Sequence, residues 1–205
     1  MVKLSAQFPL HAQIDSRFSD DEKAAIQKAI GTWNDYGKRA SGQTYFVTGM
    51  VDGSKGIAEP NARDDCSFGN DDPDAFAIVR EAPSSEKWVA LGLQRYNPAA
   101  TVRCNRATQL VRQVVMVRPD LVSANQLASV VLHEMGHVLG LDHSCSGEEG
   151  DTAFLACKGL EDSHPYHQAV MYPVLNVDLT APENDEIKED LRANDKERAG
   201  CLYAE

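Results

Sequence analysis

No apolar run in this chain comes near the ~20 residues that a membrane-spanning helix requires. Basic residues are scarce: 20 Lys and Arg stand against 31 Asp and Glu, a formal net charge of −11 over 205 residues. A surface that binds nucleic acid or anionic lipid needs a positive field, so neither is expected as a partner. No two cysteines are spaced as CxxC, which removes the usual thiolate zinc site and the usual redox motif. No serine or cysteine stands in a setting that suggests a nucleophile with its base. The opening Met1–Gln7 lacks the apolar centre of a secretory signal, so this is either a cytosolic chain or a mature region behind an added Met1.

The five cysteines, Cys66, Cys104, Cys145, Cys157 and Cys201, are many for a reducing compartment. Two disulfides and one thiol are expected, with a secreted or periplasmic location; five reduced cysteines are the alternative. Cys145 and Cys157 bracket a short Gly-, Ser- and Glu-rich stretch and suit a local staple, while the other pairings stay open. Length and ordinary composition suit one domain, or one domain split by a cleft, with a real core; a monomer is expected.

Leu10–Ile14 alternates as a strand does. Ser19-Asp20-Asp21-Glu22 is a capping box opening a helix whose apolar face carries Ile26, Ala29, Ile30 and Trp33, with Gly37 near its end. Further strands are expected at 44–47, 75–79, 88–93 and 112–117. Asp64, Asp65, Asp71, Asp72 and Asp74 crowd one stretch; calcium would suit those oxygens, although the spacing is not that of an EF-hand and a solvated acidic loop is the reading adopted. A second long helix follows Pro119, capped by Ser123 or Asn125, and Gly140 is placed to end it in a left-handed turn. Asn194-Asp195-Lys196-Glu197 marks the start of a terminal helix.

His133-Glu134-Met135-Gly136-His137 carries the chemistry. Residues four apart share a helix face, so both imidazoles reach one ion, and Glu134 projects beside them where it can work on bound water without ligating. His143 follows three residues after the turn at Gly140. A lone histidine is usually a satisfied surface or core residue; three at this spacing, around a helix and its stop, are metal ligands. Three imidazoles leave a fourth position for water, the open arrangement of a catalytic zinc. Such an ion activates water and polarises a carbonyl, and Glu134 would move the proton. A zinc-binding recognition module without activity is the competing class. Glu134 argues against it, because holding the metal does not need that residue.

The extended motif His133-x-x-x-His137-x-x-Gly140-x-x-His143, followed by Val170-Met171-Tyr172-Pro173, resembles the metzincin zinc endopeptidases, and within them the matrixins, in which a serine also follows the third histidine as Ser144 does here. The resemblance implies an α+β zincin-like fold: a twisted five-stranded mixed sheet with two long helices, an upper subdomain of about residues 1–143 and a lower one of about 144–205, together one metallopeptidase domain. It implies one catalytic zinc, and Met171 as an apolar floor beneath it. An extended peptide or protein substrate would lie along an edge strand, placed within Trp88–Tyr96. Tyr172, Pro173 and Val174 would wall the pocket for the residue after the cut bond, expected to be apolar because that segment carries no Lys or Arg. Whether the enzyme is a broad protease or a restricted processing protease stays open. No histidine lies between His11 and His133, so the second, structural zinc of vertebrate matrix metalloproteinases is not expected. His164 and His167 are assigned to a polar loop.

Overall fold

The computed structural model describes residues 8–53, 74–81, 86–94, 96–106, 109–145, 156–173 and 186–203. Strand β1 (Leu10–Asp15) leads into helix α1 (Asp20–Ser41) through the expected capping box. Glu22 N–H donates to Ser19 Oγ, and Ser19 N–H donates to Glu22 Oε2 at 2.7 Å. The helix runs past Gly37 and stops at Gly42, whose φ of 71° is the left-handed cap. Gly37 has a different use. A Cβ there would lie 3.1 Å from the Tyr45 ring and 2.7 Å from Gln43 O, so the missing side chain lets the returning chain pack on the helix.

Strands β2 (Phe46–Val51), β3 (Ala75–Arg80), β4 (Ala99–Arg106) and β5 (Gln109–Val117) complete a sheet of order β2-β1-β3-β5-β4. All neighbours pair parallel except β4 with β5. The fold is thus α+β with a five-stranded mixed sheet, as expected. One assignment is corrected. Residues 88–93 do not form a strand: Glu86–Ala90 is helix α2, followed by a turn with Gly92 at φ 73°. Trp88 and Leu91, three apart, go down together on one sheet face against Val79, Val114 and Met116, a helical spacing hidden inside an ambiguous apolar run. The fifth strand is β4, and it is also the edge beside the cleft.

The other sheet face carries both long helices, α1 and α3 (Ala124–Val138). Leu10, Ala12, Ile14, Phe76, Ile78, Val115 and Val117 meet Ile26, Ile30, Trp33, Leu127, Val131, Met135 and Val138 in one core. Trp33 Nε1 donates to Leu132 O at 2.9 Å, locking α1 to α3 by a bond in an otherwise apolar contact. Ser123 is the N-cap of α3. The lower part holds the short helix α4 (Pro165–Gln168) and helix α5 (Ala193–Tyr203). The latter begins earlier than its Asn194–Glu197 pattern suggests, with Arg192 N–H capped by Asp195 Oδ2 at 2.9 Å.

Cys145–Cys157 is a disulfide, Cys104 is disulfide-bonded, and Cys201 is free and exposed. Cys66, Asp64, Asp65, Asp71 and Asp72 lie outside the described residues. No helix among the described residues is long and apolar enough to cross a membrane.

Candidate metal centre and active site

Helix α3 brings His133 and His137 to one side, and its termination delivers the third imidazole. Gly140 adopts φ 85°, its N–H donating to His137 O and Leu141 N–H to Gly136 O, which is the Schellman arrangement. The reversed chain then brings His143 back to the helix. Potential ligand atoms of His133, His137 and His143 all lie within 4.8 Å of one another, and His137 Nε2 is 3.2 Å from His143 Nε2.

The ring tautomers follow from their partners. His133 Nδ1 lies 2.7 Å from Val170 O and His137 Nδ1 lies 2.8 Å from Leu141 O. A carbonyl only accepts, so each Nδ1 carries the proton and each Nε2 keeps its lone pair. Burial, reinforced by the neighbouring imidazoles, holds His137 well below the ordinary histidine value and brings His143 down to about 4; burial also lowers His133. His137 Nε2, which keeps its lone pair, and His143 Nε2 stand 3.2 Å apart, a spacing that one ion can bridge. The edge of a zinc tetrahedron with Zn–N bonds of ~2.05 Å is about 3.3–3.4 Å. The donor set therefore fits zinc.

Glu134 is 6% exposed. Burial pushes its carboxyl up to about 7, against the lowering effect of the Thr101 hydroxyl and of the Arg103 charge. Thr101 Oγ1 lies 2.6 Å from Glu134 Oε2 and 3.2 Å from Glu134 O. Two residues along the same strand face, Arg103 reaches Asp142 Oδ1 at 3.1 Å, next to His143.

Met171 is fully buried, and a Cβ on Gly136 would overlap its sulfur. Sequence reasoning missed what holds this segment. Asp195, fully buried, accepts from Val170 N–H at 2.9 Å and from Met171 N–H at 3.1 Å, besides capping α5. The carbonyls of the same two residues take His133 Nδ1 and Ser144 N–H. Two buried backbone units are thus satisfied on both sides, by α5 and by the segment that carries the histidines. An acidic residue three positions into a helix is the one sequence signal that could have pointed to Asp195, but only toward its cap.

A cleft of about 660 Å³ runs from β4, through Ala99, Ala100 and Thr101, past the three histidines to Tyr172 and Pro173. Val174 lies outside the described residues. The pocket wall holds a lysine that its own segment lacks. Lys188 lines the cleft, its Nζ donating to His167 O at 2.8 Å and Ala169 O at 2.9 Å and pairing with Glu186 Oε1 at 3.2 Å. All three ammonium protons are committed, and burial holds Lys188 below the ordinary lysine value. The Tyr172 ring lies 5.0 Å from that ammonium and 4.3 Å from the His167 ring. The expected polar loop is in part a helix: His164 caps α4, its Nδ1 accepting from Tyr166 N–H, and His167 lies within it against Tyr172, so both histidines serve structural contacts.

A helix carrying two inward imidazoles and a buried carboxyl, a glycine stop, and a third imidazole beside an edge strand define a zinc-dependent peptidase. The matrixin family profile matches residues 4–149, most of the chain. The protein belongs to the matrixins and is a zinc metalloendopeptidase. Curated protein sequences gave no match. Among solved structures, high choriolytic enzyme 1, a hatching-enzyme zinc protease of the medaka fish Oryzias latipes, is similar at 14% identity, over 95% of this chain and 88% of that one, with a TM-score of 0.42. Myroilysin is similar at 10% identity, over 100% of this chain and 92% of that one, also at 0.42.

Proposed function

We propose that His133, His137 and His143 hold the catalytic zinc and that Glu134 is the general base for hydrolysis of an extended peptide. The gathering of three imidazoles whose potential ligand atoms lie within 4.8 Å of one another, with a buried carboxyl alongside, is the observation that carries this reading. Zinc, when bound there, supplies Lewis-acid activation of water and of the scissile carbonyl. Glu134 takes a proton from the attacking water and returns it to the leaving amine nitrogen. Burial raises the Glu134 carboxyl above the ordinary glutamate value, which makes it a better proton acceptor than an exposed carboxylate. The edge of β4 takes the substrate by strand addition, in place of the 88–96 segment expected from sequence. Tyr172, Pro173 and the stem of Lys188 receive an apolar side chain after the cut bond, and Met171 is floor rather than ligand. The whole chain acts as one catalytic domain, upper about 1–143 and lower about 144–205, monomeric and secreted or periplasmic, with calcium left out of the mechanism.

The test separates metal from base. Glu134→Gln should keep about one zinc per chain and lose peptidase activity by on the order of a hundredfold or more. His137→Ala should lose the zinc. An active Glu134→Gln enzyme, or a His137→Ala protein that still carries its zinc, would refute the assignment.

A further inference from the structure

We infer that Thr101 is a positioning residue for catalysis: its hydroxyl fixes the Glu134 carboxylate and thereby ties the base to the strand along which substrate lies. This rests on Glu134 as the general base.

A carboxylate at the end of a glutamate side chain turns about a soft, roughly two-fold torsion. In bulk water that freedom costs nothing, since any orientation finds partners. A general base has narrower needs, because it must lie within ~2.6–3.2 Å of the proton it takes, and misplacement by ~1 Å can cost on the order of a hundredfold. Something must therefore hold one carboxylate oxygen while the other faces the cleft.

Thr101 Oγ1 does this. Its 2.6 Å separation from Oε2 lies in the range of charge-assisted O–H···O⁻ bonds. A hydroxyl has one proton, and the carboxylate at 2.6 Å takes it in preference to Glu134 O at 3.2 Å. Among the described residues no other side chain donates to this carboxylate, so Oε2 is anchored and Oε1 is left for the water.

The location of the anchor gives it a second consequence. Thr101 stands in β4, paired with Val115 of β5 on one side, while the other edge of β4 is the sheet's end. Ala99, Thr101 and Arg103 alternate onto the face toward α3. Thr101 touches the base, and Arg103 touches Asp142 beside the third histidine. A peptide added to the free edge of β4 is thus registered against the backbone whose side chains hold the base and the His143 turn. The scissile bond and its base are indexed to one strand.

Thr101→Val keeps the β-branched shape and removes the hydroxyl; Thr101→Ser keeps the hydroxyl. In the zinc-loaded enzyme, Thr101→Val should lower kcat about 10–100-fold with KM changed less than about threefold, and Thr101→Ser should recover most of it. Zinc content should be unchanged in both. A binding readout accompanies the kinetics. A peptide hydroxamate shares a proton with the base, whereas the matching peptide thiol does not. Thr101→Val should weaken the hydroxamate about tenfold and leave the thiol within about twofold. Wild-type kcat in Thr101→Val, equal weakening of both inhibitors, or no recovery in Thr101→Ser would overturn the role, with Glu134→Gln still inactive. An active Glu134→Gln would instead overturn the base and Thr101's role together.

Discussion

Gly136, one of the two unspecified positions between the first two histidines, is predicted to be intolerant of a single methyl group. A Cβ there would overlap Met171 Sδ and lie 3.3 Å from Met171 Cε and 3.2 Å from Trp33 Cζ2. Both neighbours are fully buried and cannot move into solvent. Two opposed effects set the sign. Alanine gains about 1 kcal/mol over glycine inside a helix. Overpacking costs about 1–3 kcal/mol, and with Met171 and Trp33 both fully buried any shift of the thioether must displace other core atoms, which places this site toward the upper end. The net expectation for Gly136→Ala is a loss of about 1–2 kcal/mol, or roughly 3–6 °C in Tm for a chain of this size. Urea denaturation at fixed zinc concentration measures it. Gly31→Ala in α1 is the control of opposite sign, because a Cβ there meets nothing within 4 Å and the helix term stands alone. Met171→Ala by itself should cost about 2–5 kcal/mol from the cavity it leaves. In the double variant the added methyl faces that cavity, so the total loss should fall short of the sum by at least about 1 kcal/mol. A Gly136→Ala protein as stable as wild type, or an additive cycle, would refute the reasoning.

Asp195→Ala strips the acceptor from three backbone N–H groups, Val170, Met171 and Arg192. It should cost on the order of 3 kcal/mol or more and loosen zinc as seen by competition with a chelator, while Asp195→Asn, keeping one acceptor oxygen, should lose less. In a peptide series varied after the cut bond, leucine should exceed glycine by ~1–3 kcal/mol in kcat/KM, and aspartate should gain nothing from Lys188. Lys188→Ala should widen the series toward longer side chains, since Lys188 lines both the cleft and a second cavity of about 300 Å³. Aspartate as the preferred residue would show that the ammonium is freer than its three partners imply.

The imidazole set was legible because a helix period, a glycine stop and a short loop are local devices, each written within eleven residues. Strands β1, β3 and β5 were legible for the same reason, and so was the capping box at Ser19. What escaped was set by tertiary contact. Residues 99–106 start with Ala-Ala-Thr and read too weakly as a strand; β4 is defined by pairing with β5. Residues 88–93 read as a strand, yet Trp88 packs with Leu91 at a helical spacing. Gly37 signalled a helix end, and the structure uses it for the approach of Tyr45. Thr101, Lys188 and Asp195 act on residues 19 to 33 positions away, and no periodicity reports such a distance.

The Cys145–Cys157 bond begins two residues beyond His143, and between them Ser144 N–H is bonded to Met171 O at 2.8 Å. In coordination terms the proposed site is a tripod with two rigid legs on one helix and a third on a loop. The chelate advantage of a third leg depends on how many arrangements it gives up when the ion arrives. Here the staple and the Met171 carbonyl have already removed most of them. Reduction would leave the two helical legs as they are and return the third to a slack chain, turning a tridentate site toward a bidentate one. With the three histidines as its ligands, the ion is held more tightly when the Cys145–Cys157 bond is closed than when it is reduced.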